Sequence, residues 1–196
     1  LLLLDTVTSL GGVPLYIDDW KVDLSYSCSQ KGLSCPPGLG PFTMGPRAEA
    51  KMEARSGKVP NWYLDVSLLN KYWGSDRVYH HTAPVNMNFG MREALRLLAE
   101  EGLDQAWARH RRNAEALWSG MEGLGLTMHV PYERRLPTLT TVRIPDGVDG
   151  KAFSQHLLNT HGIEVGGGLG SLAGKIWRIG LMGFNSTPEN VNHLLN

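Results

Sequence analysis

Apolar residues follow two spacings along this chain. In the first part they come in short runs closed by turn residues. Leu1 to Leu4 and Val22 to Cys28 are apolar or β-favouring, with Gly11, Gly12 and Pro14 between them, and predict two strands of a buried sheet. Leu39 to Met44 predicts a third. Only about ten residues rich in Gly and Pro separate it from Cys28, the short limit for a helical crossover, so it should pair antiparallel. Pro46 to Arg55, rich in Ala, Glu, Lys and Met and opening on proline, predicts a helix.

From Asn86 to Leu124 the spacing becomes helical. Met91, Leu95 and Leu98, then Leu103, Trp107, Ala114, Leu117 and Met121 keep a helical period that breaks at Gly102. Beyond Gly125 the order is strand (Leu126 to Val130), strand (Thr138 to Ile144), helix (Lys151 to Thr160), short strand (Ile163 to Val165), strand (Lys175 to Leu181) and helix from Pro188 onward. That order suits a small α+β domain on an antiparallel sheet. The expected organisation is α/β: residues 1–101 form part of a larger domain with a mostly parallel sheet and one antiparallel strand, and residues 102–196 form a smaller α+β domain. No repeat or low-complexity tract interrupts it.

Composition narrows the function. Basic and acidic residues number 19 each, so the chain has no broad basic face for phosphates, which weighs against nucleic acid or an anionic membrane as partner. Its longest apolar run, Leu1 to Leu4, is far short of the roughly 20 residues of a membrane span. Cys28 and Cys35 cannot scaffold 196 residues, so a reducing, cytoplasmic setting is expected, or the peroxisome if the source is eukaryotic. The chain opens at Leu1 in what reads as mid-strand and stops at Asn196 inside a predicted helix. It therefore reads as a fragment, with targeting signals at the true termini out of view and catalysis beyond the fragment alone.

Candidate chemistry lies at the predicted strand ends. Asp5 closes the first strand, and Lys31 follows the second after a Ser29-Gln30 step, so both fall at the carboxyl ends of parallel strands, where open α/β sheets bind ligands. Gly32 and the Pro36-Pro37-Gly38 turn should hold the lysine in place. His80 and His81 invite a metal reading, but adjacent side chains point apart on an extended chain and no Cys or carboxylate cluster completes a site, so no metal is expected. Gly168 to Ala173 satisfies G-x-G-x-x-A with Glu189 downstream. A dinucleotide fingerprint must open a helix, however, and here a strand follows.

Six segments in register, LLLLDTVTSLGG, YSCSQKGLSCPPG, VYHHTAPVN, RLPTLTTV, EVGGGLG and KIWRIGLMGFN, resemble the C-terminal half of class V pyridoxal-phosphate aminotransferases, nearest the alanine-glyoxylate and serine-glyoxylate group. The resemblance implies the fold type I architecture of pyridoxal-phosphate transferases. It also implies that Lys31 links covalently to pyridoxal 5'-phosphate and shuttles the substrate proton. Asp5 would pair with the pyridinium nitrogen, Val7 would pack on the ring face, and Gln30 would contact the phosphate. Tyr79 and Thr82 would reach the phosphate of a partner subunit in a homodimer with shared sites, and Arg178 would bind the substrate carboxylate as a bidentate fork.

The implied activity moves an amino group from alanine or serine to glyoxylate, with amino acids and 2-oxo acids as ligands, in a ping-pong cycle through pyridoxamine phosphate. A serine-pyruvate or hydroxykynurenine transaminase stays open within the family. Cysteine desulfurase does not, because no cysteine follows Cys35. From another class, a noncatalytic dimerisation module would have no use for Lys31, Asp5 and Arg178 together.

Overall fold

The computed structural model describes residues 1–196. Strand β1 (Leu3–Asp5) pairs parallel with β2 (Leu24–Tyr26), and β3 (Phe42–Met44) pairs antiparallel with β2, as the short connection requires. The buried Asp23 carboxylate pins this sheet, accepting from the Leu2 amide at 2.6 Å and from Arg47 at 3.0 Å. Arg47 stands in the first turn of α1 (Pro46–Glu53), whose proline loses no intrahelical bond there.

Helix α2 (Val66–Trp73) was not legible in the spacing. It is short and carries two aromatics and a β-branched residue, poor helix formers, yet Asp65 caps it by accepting from the Ser67 amide at 3.0 Å. Two long helices, α3 (Val85–Glu101) and α4 (Leu103–Gly123), meet at Gly102, whose φ of +83° ends the first helix. The α4 face formed by Ala106, His110, Asn113, Ala114, Leu117, Trp118 and Met121 is buried, and Leu117 and Met121 pack with Leu181 and Val191.

The second sheet runs in the order β4 (Leu139–Arg143), β6 (Ile176–Gly180), β5 (Gly166–Gly167), all antiparallel, flanked by α5 (Gly150–His161) and α6 (Pro188–Leu195). Two strand expectations shift. Leu126 to Val130 forms only an isolated bridge, Met128 to Val142. The strand expected at Ile163 to Val165 falls on Gly166–Gly167, where strand propensity reads against it and pairing with Arg178 and Trp177 of β6 overrides it. The chain from Gly170 to Leu172 is a single 3₁₀ turn leading into β6, so the glycine pattern there opens no helix.

The two sheets meet through loops. The Thr138 hydroxyl donates to the Thr8 carbonyl at 2.5 Å, and the Phe184 amide donates to Ser34 Oγ at 2.8 Å.

Candidate active site

The end of β1 is built around one carboxylate. Parallel register sets Asp5 opposite Tyr26, so the tyrosine hydroxyl reaches Asp5 Oδ2 at 2.7 Å, while Oδ1 accepts the Val7 amide at 2.8 Å. The Val7 N–H, then the Tyr26 hydroxyl, hold the Asp5 carboxyl below the usual range, and Asp5 in turn pushes the tyrosine up. Asp5 is thus an oriented, ionised acceptor on the sheet's carboxyl edge, exposed to whatever docks there. Val7 is half-buried beside it, and its carbonyl is reached by Cys28 Sγ at 3.8 Å. Tyr26 lies inside a segment singled out in the sequence, yet its role went unread, because only the strand register reveals that it faces Asp5.

Lys31 follows β2 on a loop closed by backbone and hydroxyl bonds. Fully buried Ser29 donates from Oγ to the Pro36 carbonyl at 2.7 Å and accepts the Leu39 amide at 3.3 Å, and the Ser34 amide donates to the Lys31 carbonyl at 3.0 Å. The loop is tied down at Ser29 and Ser34, while the half-buried Lys31 amine makes no ion pair or hydrogen bond within the chain. Gln30 beside it is exposed. Gly32 brings the Lys31 loop against the segment after Asp5, since a Cβ there would collide with the Leu10 carbonyl. The structure therefore brings Asp5, Val7, Tyr26 and the Lys31 loop to one edge.

Arg178 sits on β6, opposite Thr141 and Gly166. Its Nε donates to the Gly167 carbonyl at 2.6 Å, and a Cβ on Gly166 would stand 3.4 Å from Nη2. The backbone thus holds the inner nitrogen, and no carboxylate of the chain takes the outer two. Five residues on, at most roughly 17 Å of extended chain, β6 leads to Gly183 against the Lys31 loop.

Tyr79 and Thr82 are exposed and hydrogen-bonded to each other at 3.0 Å, and no hydrogen bond joins them to Asp5, Lys31 or Arg178. Their neighbours His80 and His81 correct one expectation. Rather than pointing apart, the rings meet Nδ1 to Nδ1 at 2.9 Å in a segment outside any strand, and His80, stacked on the Trp62 ring, donates from Nε2 to the Trp62 carbonyl at 3.1 Å.

With this geometry in hand, comparison with known proteins gives a consistent result. The model of the family described as aminotransferase class-V matches residues 1–194. The alanine–glyoxylate aminotransferase of Callithrix jacchus is 46% identical over 98% of the chain and 47% of its own length. Among solved structures, the alanine–glyoxylate aminotransferase of Nostoc sp. superposes with a TM-score of 0.97 at 66% identity, over 100% of this chain and 52% of that one. The ureidoglycine-glyoxylate aminotransferase of Bacillus subtilis follows with 0.95 at 39%, over 100% and 50%. The chain spans about half the length of the curated relatives it matches.

Proposed function

Because the chain belongs to the class-V aminotransferases, we propose that it serves a pyridoxal-phosphate-dependent transamination that moves the amino group of alanine or serine to glyoxylate. The observation that carries this reading is the sheet edge, where an ionised Asp5 is held by Val7 and Tyr26 beside the loop of an unpaired Lys31. Glyoxylate as acceptor is supported by the names of the relatives at 38–46% identity cited here, which differ in amino donor, alanine in one and ureidoglycine in another, and both name glyoxylate.

The donor set fits the cofactor. Asp5, accepting two hydrogen bonds from the chain, keeps its negative charge and suits a protonated pyridine nitrogen, while a lysine already tied into an ion pair would be unsuitable for covalent attachment, and Lys31 has none. When bound, pyridoxal phosphate supplies an aldehyde that takes up an amino group and a ring that draws electrons from the substrate Cα. In this reading Lys31 would hold the cofactor covalently and, once the substrate amine has displaced it, its freed Nζ would take the Cα proton of the amino acid. Arg178, with Nε fixed by Gly167, offers Nη1 and Nη2 to the substrate carboxylate as two parallel donors, the pairing an ammonium cannot reproduce. Val7 packs against the ring and Gln30 donates to the phosphate.

Tyr79 and Thr82, uncharged hydroxyls on an exposed turn, reach the phosphate of a second copy in a homodimer with shared sites. No helix is long and apolar enough to cross a membrane, and the two free cysteines, Cys28 and Cys35, suit the cytoplasm. A rate matrix of amino donors against 2-oxo acids tests the substrate assignment. The best pair should be alanine or serine with glyoxylate, and a clear preference for pyruvate or 2-oxoglutarate as acceptor would overturn it.

A further inference from the structure

Two loops, those of Gly183 and Gly12, meet one buried imidazole. His110 of α4 is 1% exposed, and its partners fix its proton. The Ala106 carbonyl can only accept, so Nδ1 carries the hydrogen and donates at 2.7 Å; the Gly183 amide can only donate, so Nε2 is bare and accepts at 2.8 Å. Arg109, the preceding residue of the helix, holds the other polar atom of the same glycine, with Nη1 donating to the Gly183 carbonyl at 2.9 Å and to the Ser186 carbonyl at 2.9 Å.

The far side of Gly183 touches the Lys31 loop, meeting the backbone of Lys31 and Gly32 and the Ser34 hydroxyl. Its φ is +58°, and a Cβ there would stand 3.0 Å from the Lys31 carbonyl and collide with Ser34 Oγ. Next in sequence, the Phe184 amide donates to that same Ser34 Oγ. Gly12, from the loop after β1, closes the group, since a Cβ on it would lie 3.2 Å from His110 Cδ2.

We propose that His110 is a positioning residue: by accepting the Gly183 amide it seats the turn after β6 against the backbone of Lys31 and Gly32, and so sets where Lys31 stands relative to Arg178. Its catalytic meaning rests on the roles proposed above for those two residues. An ordinary core hydrogen bond fixes a single neighbour. Here consecutive residues of one helix grip both polar atoms of Gly183, and a shift of that glycine passes backbone to backbone into the loop of the reactive amine. Misplacement of about 1 Å at a reacting group costs on the order of 100-fold in rate.

The test compares His110→Leu with His110→Gln in the native-length holoenzyme. Gln can present an amide oxygen to the Gly183 amide and Leu cannot. Hydrogen exchange of peptides spanning residues 29–36 and 181–187, with residues 150–161 as control, is measured alongside kcat and KM. His110→Leu should speed exchange at 181–187 by about 5- to 100-fold, the range for an orphaned buried amide, and should speed exchange at 29–36 along with it. The control peptide should stay unchanged, and kcat should fall more than tenfold while KM for the amino acid moves less than threefold. His110→Gln should recover most of both. Equal acceleration in the control peptide, unchanged exchange at 29–36, or accelerated exchange with intact kcat would each overturn the proposal. Should His110→Leu not fold, Ser34→Ala loosens the same contact from the other side and must give the same local pattern. Borohydride mapping of the wild-type protein separates the two readings: cofactor found away from Lys31 removes the assignment of the lysine, while exchange at 29–36 still decides whether His110 holds the loop.

Discussion

The Tyr26 hydroxyl donates to Asp5 Oδ2 at 2.7 Å across adjacent parallel strands, in register with it. The Val7 amide is the larger influence on that carboxylate and Tyr26 the second. Tyr26→Phe should therefore raise the Asp5 pKa only part of the way back, moving the acid limb of the kcat profile to higher pH and lowering kcat a few-fold, the scale of one lost hydrogen bond. Asp5→Asn removes the charge itself and should lower kcat far more while leaving KM for the amino acid nearly unchanged. Equal effects of the two variants, read from pH-rate profiles, would show that Tyr26 does more than orient Asp5.

Lys31→Ala should abolish covalent cofactor attachment. Borohydride reduction followed by peptide mapping should find the label on the wild-type peptide containing Lys31 and on no peptide of the variant. Loss of proton transfer alone should lower kcat by about 10²- to 10⁴-fold. Label on Lys21, Lys51 or Lys71 instead would remove the central assignment.

Arg178→Lys keeps the charge and loses the fork. Without the Nε anchor on Gly167 and with a point ammonium in place of two parallel donors, kcat/KM should fall roughly 10- to 150-fold for both amino acid and 2-oxo acid, the equivalent of about 1.5–3 kcal/mol for a charge-assisted bond. Steady-state kinetics with both ligands checks this, and unchanged values would sink the carboxylate role.

The strand ends that carry Asp5 and Lys31, the long helices broken at Gly102 and the antiparallel second sheet are all legible in apolar spacing and turn residues, because local propensity and burial agree there. Gly166–Gly167 is not: propensity argues against a strand of glycines, and only the pairing with Arg178 and Trp177 of β6, a partner distant in sequence, makes it one. Tyr26 and His110 were missed for a related reason. Each acts through a partner distant in sequence, 21 residues away for Asp5 and 73 for Gly183, and no periodicity encodes such a pairing. The cofactor and substrate roles of Lys31, Asp5 and Arg178 came from resemblance rather than from spacing.

Stability should depend on pH through His110 and Glu101. Burial pushes the His110 pKa down; of the charges facing it, Arg109 adds to that push and Glu101 opposes it. The unfolded chain, with a histidine near 6.5, then binds more protons than the folded one, so this contribution is full above that value and lost as pH falls through the folded pKa. Glu101 is held low by Arg109, so its contribution is present above about 4.5 and lost as pH falls through its own depressed value. Melting temperature should thus decline in two stages, below pH 6.5 and again below pH 4.5. His110→Gln should flatten the first stage and keep the second; an unaltered first stage would assign it to another group.

Tyr79 and Thr82 give the sharpest test of a shared site. They bond to each other, Tyr79 is 69% exposed, and neither bonds to Asp5, Lys31 or Arg178 of its own chain. If they serve the phosphate of a second copy, two-fold symmetry makes each active site a composite, with the lysine from one subunit and the hydroxyl pair from the other. A subunit with Lys31→Ala and a subunit with Tyr79→Phe and Thr82→Ala are each impaired as homodimers. Their heterodimer would place all the defects in one site and none in the other, so isolated heterodimers, purified through two different tags, should regain about half the wild-type activity. If the hydroxyls instead serve their own chain, every site in the heterodimer carries a defect and no activity returns. Cofactor titration adds an independent reading: composite sites predict one tight and one weakened site per heterodimer, whereas within-chain contacts put the lysine defect and the hydroxyl defect in separate sites and leave neither at wild-type strength. Two weakened sites in verified heterodimers would therefore exclude the shared arrangement even if residual activity made the kinetic comparison ambiguous.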